Sequence, residues 1–108
     1  MNRKQRRAAA KLGSAIPQLL ATGLQLHRAG RLVEAEACYL QVLATQPNHA
    51  AAHSNLGSAL MGQGKLDEAV AAYRQAIRIK PDLAAAYSNL GNALMGQGKL
   101  DDAVAAYR

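Results

Sequence analysis

The sequence predicts an all-α chain built as a right-handed solenoid of helical hairpins with a 34-residue period. Ala50 to Arg74 and Ala84 to Arg108 align without a gap and differ only as His53/Tyr87, Ser58/Asn92 and Glu68/Asp102. A diverged copy from Ile16 to His49 keeps Gly23, Gly30, Leu32, Ala35, Tyr39 and Pro47 in register with Gly57, Gly64, Leu66, Ala69, Tyr73 and Pro81. Periods of this length mark repeat architectures. Half of the residues are apolar, yet there is no Trp, no Phe and only four Tyr, so Ala, Leu and Gly supply most packing surface. Small residues suit helices stacked closely in layers rather than one large core.

Taken in order, residues 1–15 form a basic segment: Arg3, Lys4, Arg6, Arg7 and Lys11 carry five of the 13 positive charges. The rest of the chain is almost neutral, so the net charge of +6 belongs to this segment, expected to be a disordered, solvated tail. With no aromatic residue and no apolar face, it gives no basis for a nucleic-acid partner beyond charge alone. Arg6-Arg7 begins like an export signal, but Gly13, Ser14, Pro17, Gln18 and Thr22 break the apolar region that should follow.

Residues 16–49 form the first, cap-like repeat. Residues 50–83 form the second, in which the first helix is expected over Ala50–Met61 with Asn48 as N-cap, an arrangement that Asp82 repeats. Gly62, Gly64 and Lys65 supply the turn, and the second helix runs from about Asp67 to Ile79 before Pro81 stops it. Asp67 and Glu68 sit at its positive end. Gly57 and Ala69 are placed where the two helices cross, with Leu56, Leu60, Tyr73, Ala76 and Ile77 filling the layers. A helix of about twelve residues is marginal alone in water, so each hairpin depends on its neighbours. Residues 84–108 form an incomplete third repeat, since Arg108 falls inside its second helix; the expectation is a front piece of a longer protein.

The run Leu56-Gly57, Ala69, Tyr73, Ala76, Pro81 resembles the tetratricopeptide repeat family, and the resemblance covers Ile16 to Arg108. The first copy departs from the pattern, with Thr22 where Leu is usual and Leu19 at the large aromatic position. The resemblance implies an interaction scaffold with no catalysis of its own, in which the first helix of each hairpin lines a concave groove. Carried onto this chain, the groove consists of Ser54, Asn55, Ser58 and Met61, then Ser88, Asn89, Asn92 and Met95, with Leu20, Ala21, Leu24, His27 and Arg28 at the first end. An Asn side chain both donates and accepts, so Asn55 and Asn89, one repeat apart, would form a ladder for the backbone of an extended peptide. Chaperone-tail readers of the family flank an Asn with Lys and Arg. Here Ala85 and Asn89 stand where those cations belong and Ala21 replaces the Asn of the first helix, so a carboxylate-ended partner is not expected. The wording AYSNLGNAL and the start MNRKQRR also resemble the repeat region ahead of bacterial O-linked N-acetylglucosamine transferase-like proteins, which would make the chain the substrate-selecting arm of an absent catalytic domain.

Other signals weaken on inspection. His49 and His53 have two-histidine metal spacing, but His53 holds the place of Tyr87 and no third ligand is near, so no metal or cofactor is expected. Gly62-Gln63-Gly64-Lys65 lacks the first Gly and the final Ser or Thr of a phosphate loop, where Ala59 and Leu66 stand. Glu34, Glu36, Asp67, Glu68, Asp101 and Asp102 recur near the start of the second helix of each copy, as caps do and a catalytic pair does not. Cys38 is the only cysteine, which rules out an internal disulfide and favours a reducing, cytoplasmic setting. No stretch approaches the length of a membrane span. The end of the array, lacking a polar capping helix, would be free to stack on a second copy.

Overall fold

The computed structural model describes residues 2–98 and 100–107. Six helices follow one another: α1 (Arg3–Arg28), α2 (Leu32–Thr45), α3 (Ala50–Gly62), α4 (Leu66–Ile79), α5 (Ala84–Gly96) and α6 (Leu100–Tyr107). Each packs on its neighbours in the chain. In addition α1 touches α3 and α3 touches α5, whereas α2 and α4 do not meet. The first helices of the hairpins therefore lie side by side on the inner face, and the second helices splay on the outer one. The array measures 53 × 28 × 18 Å.

The hairpin turns follow from one glycine per repeat. Gly30, Gly64 and Gly98 have φ of +79°, +79° and +78°, a conformation that other residues adopt at a cost. At Gly64 the Lys65 amide donates to the Leu60 carbonyl at 2.9 Å and the Gly64 amide to Met61 at 3.0 Å, closing a Schellman turn; Arg31 and Gly30 repeat it on Leu26 and His27. The second helices end at Thr45 and Ile79, each one residue short of the position preceding Pro47 or Pro81, as proline requires.

Two expectations change. The helix start is capped not by Asn48 but by His49, whose Nδ1 accepts from the Ala52 amide at 3.1 Å; at the next start Leu83, not Asp82, holds the cap position and provides no side-chain bond. Asn48 and Asp82 sit in the tight turn after each proline, closed by His49 and Leu83 amides on Gln46 and Lys80 carbonyls, so the helices begin two residues later. The basic segment expected as a disordered tail is part of α1, which starts at Arg3. Its run of Arg, Lys, Gln and Ala consists of strong helix formers, and it extends a helix already held by packing, which removes the nucleation cost.

The core sits where glycine meets tyrosine. Tyr39 and Tyr73 are fully buried, and a Cβ built on Gly23 or Gly57 would fall 2.6 or 2.7 Å from their rings; Tyr107 stands against Gly91 likewise. Leu32 fills the space beside Gly62 and Leu66 that beside Gly96, so one hairpin keys into the next. Ala35, Ala69, Leu56, Leu60, Leu90 and Leu94 are among the residues that join the tyrosines in the main cluster, and Ile16, Val42 and Ala52 form a smaller one at the first end.

Candidate functional site

On α3 the buried residues are Ala52, Leu56, Gly57, Ala59 and Leu60. The remaining face, offset around the helix, carries Ser54, Asn55, Ser58 and Met61, all half-buried. On α5 the same positions give Ser88, Asn89, Asn92 and Met95, of which Asn89 is half-buried and the others exposed. Because the first helices occupy the inner face, these eight residues lie on two adjacent inner helices. On α1 the matching positions are Leu20, Ala21, Leu24, His27 and Arg28, so the strip begins with three apolar residues and a basic end and continues as amide and hydroxyl along the array.

The eight are not equivalent. The Ser58 hydroxyl is bonded to the Tyr73 hydroxyl at 2.8 Å and also donates to the Ser54 carbonyl at 3.3 Å. One repeat later the Tyr107 hydroxyl donates to Asn92 Oδ1. Position 58 and its counterpart thus hold the hydroxyl of the core tyrosine from the hairpin's second helix. Both side chains can accept a hydrogen bond, but nothing in the sequence marks them for this role, because the tyrosine partner, 15 residues on, is invisible without the hairpin geometry. In the first copy the same position is Leu24, and the Tyr39 hydroxyl is buried with no partner among the described residues. Burial, with Cys38 adding to it, holds the Tyr39 phenol above its ordinary pKa. At Tyr73 burial also raises the value and the bond to Ser58 works against it. Asn55 and Asn89 differ from Ser58 and Asn92: among the described residues neither amide has a side-chain partner.

The inner strip of α3 and α5 carries no charged side chain. Charge is on the outer side, where Gln97 donates to Asp67 across two hairpins and Lys65 lies 3.7 Å from Glu36. Val33 stands where Asp67 would be one repeat earlier, so Gln63 has no such partner and folds back onto the Ala59 carbonyl at 3.2 Å. The hollow of about 480 Å³ beside Gly64 and Lys65 is also lined by Asp67 and Glu68, whose carboxylates would repel a phosphate. His49 is taken up by its cap, and His53 Nε2 lies 2.8 Å from the Pro47 carbonyl. Among the described residues no three His, Cys, Asp or Glu gather to hold a metal, and no helix is long and apolar enough to cross a membrane.

Comparison with known proteins agrees with this architecture. A tetratricopeptide repeat model matches residues 26–73 and a TPR repeat model residues 57–98. Two crystal structures of MamA superpose with TM-scores of 0.81 and 0.80 at 27% identity over 85% of the chain. The chain spans about half of those proteins, 54% and 50% of their lengths. The first TPR of Spaghetti (RPAP3), solved with an HSP90 peptide, shares the fold at a TM-score of 0.84 and 24% identity, over 87% of this chain and 75% of that one. The comparison with curated proteins gives no match. The two family matches join to span residues 26–98, and with the 34-residue period and the glycine–tyrosine packing they place the chain in the tetratricopeptide repeat family.

Proposed function

We propose that the chain is a protein–protein interaction module that holds an extended peptide along its inner face and performs no reaction of its own. The observation that carries this reading is the pair Asn55 and Asn89: one repeat apart, half-buried on adjacent inner helices, and without a side-chain partner among the described residues. An amide so placed can donate to a peptide carbonyl and accept from a peptide N–H. Contacts of that kind bind main chain, so recognition is expected to tolerate sequence. Ser54, Ser88, Met61 and Met95 border the pair, and the methionines give adaptable apolar contact. Ser58 and Asn92 contribute more weakly, because each already holds a tyrosine hydroxyl. The first TPR of Spaghetti (RPAP3), which shares the fold, is bound to an HSP90 peptide, and that supports a peptide ligand for this chain. The uncharged strip of α3 and α5 argues against a partner recognised by its terminal carboxylate.

The test is binding to a peptide array by the purified chain beside an Asn55→Ala, Asn89→Ala double variant whose helicity is verified. Sequence-tolerant binding that the variant loses supports the reading. Equal binding by both proteins, or none by either, removes the amides from the site. A second reading, the substrate-selecting arm of an O-linked N-acetylglucosamine transferase-like enzyme, draws support from the wording AYSNLGNAL and the MNRKQRR start. It requires a nucleotide-sugar domain in the same reading frame, and a frame without one excludes it.

A further inference from the structure

The outer face of α2 carries an apolar seam that the next repeat does not have. Val33 and Leu40 are 66% and 51% exposed, and Ala37 and Ala44 are exposed beside them. Their spacing of four, three and four residues puts them on one line along the helix, the pattern of a coiled-coil seam. Ala35, Tyr39 and Val42 occupy the opposite face and are buried, so the seam points away from the core. One period on, the same positions on α4 are Asp67, Ala71, Arg74 and Arg78, the solvated face that an outer helix normally presents. A helix otherwise built to one plan has therefore exchanged three charged residues for Val, Leu and Ala on its outer side.

We propose that this seam is covered by the same seam of a second copy, with two α2 helices packed antiparallel about a two-fold axis. The order of side-chain sizes selects that occupant. With the axis passing between positions 38 and 39, Val33 faces the partner's Ala44 and Leu40 faces the partner's Ala37. Each large side chain then meets a small one, and the surface is complementary to itself, as an isologous contact requires. The rim agrees: Glu34, held by Arg31 at 2.6 Å, comes beside the partner's Gln41, so no like charges are brought together. A single seam of 14-residue helices is a small contact beside the ~1,200 Å² buried by stable dimers, so the association is weak and reversible. It leaves the inner strip of α3 and α5 open for a peptide.

Sedimentation equilibrium of the full chain over ~10 µM to ~1 mM, a range in which weak association shows, reads the proposal directly. The expected result is a monomer–dimer equilibrium that a Val33→Asp, Leu40→Arg variant weakens at least tenfold. That variant carries the residues found at positions 67 and 74 in the same fold, so its melting curve should match the parent's. Should it fail to fold, Leu40→Ala replaces it, with a dissociation constant expected to rise several-fold. A parent that stays monomeric throughout, or a folded variant that dimerises as the parent does, overturns the proposal.

Discussion

Removing the same hydroxyl from two tyrosines 34 residues apart should change stability in opposite directions. Tyr39 and Tyr73 are fully buried and pack on equivalent glycines, but only Tyr73 has a partner for its hydroxyl. A buried polar group left unpaired costs about 1–3 kcal/mol, whereas a made hydrogen bond contributes about 0.5–1.5 kcal/mol net. Tyr39→Phe removes an unpaired group and leaves a void of one oxygen, so a gain of about 1 kcal/mol is expected. Tyr73→Phe breaks the bond to Ser58, which keeps its weaker link to the Ser54 carbonyl, and a loss of about 1 kcal/mol is expected. For a chain of this size 1 kcal/mol moves the melting temperature by roughly 4–8 °C, so the two variants should melt roughly 8–16 °C apart.

The cause can be isolated with Leu24→Ser, which gives the first repeat the residue that the second has. Leu24 is 38% exposed, so truncating it forfeits only part of the ~1.5–3 kcal/mol of a buried leucine, and the new bond to Tyr39 should offset much of that. In a Tyr39→Phe background the offset disappears and the truncation costs its full amount. Urea unfolding of the four proteins in this cycle, followed by far-UV circular dichroism, measures the coupling, expected at about 1 kcal/mol. Equal destabilisation by Tyr39→Phe and Tyr73→Phe, or a coupling near zero, would refute the assignment of an unsatisfied hydroxyl.

Two further outcomes follow from the same packing. Gly57→Ala places a methyl 2.7 Å from the Tyr73 ring and should cost about 1–3 kcal/mol despite the better helix propensity of Ala; combined with Tyr73→Leu the added cost of the methyl should largely vanish in urea unfolding. At alkaline pH, Tyr39 and Tyr73 ionise less readily folded than unfolded, because burial raises both. Their contribution is complete below the unfolded value of about 10 and is lost as pH rises through the folded ones, so stability should fall above pH ~10, and less steeply in the double Phe variant.

Much of the fold is legible in the sequence because the repeat compares each position with its own copies. Gly64 is placed correctly in the turn because glycine alone tolerates its φ, and Gly57 because the hairpin leaves no room for a side chain there. The helix start at Ala50 is legible, but the residue that caps it is not. Asn48 and Asp82 have good capping chemistry, but the turn after each proline consumes two residues, a spacing that propensity does not encode. The basic segment is misread for a related reason: charge density suggests a solvated tail, whereas helix propensity and a packed helix to extend decide the outcome.

The inner strip shows the limit of reading one face at a time. From the sequence, the pair Ser58 and Asn92 is indistinguishable in kind from the pair Asn55 and Asn89, since each pair is polar and its members stand one period apart. What separates them is the second helix, which brings a tyrosine hydroxyl beneath one pair and nothing beneath the other. The first repeat supports this distinction from the opposite side. Where Leu24 replaces the polar residue, the tyrosine beneath it loses its partner and the inner face becomes apolar; where Val33 replaces Asp67, the tether to the following repeat is lost and the outer face becomes apolar as well. The same divergence that weakens the first hairpin internally thus creates apolar surface on both of its sides. Stability is given up at named hydrogen bonds, at positions where the chain's own copies show the satisfied alternative, and the contacts proposed above would give that divergence its reason.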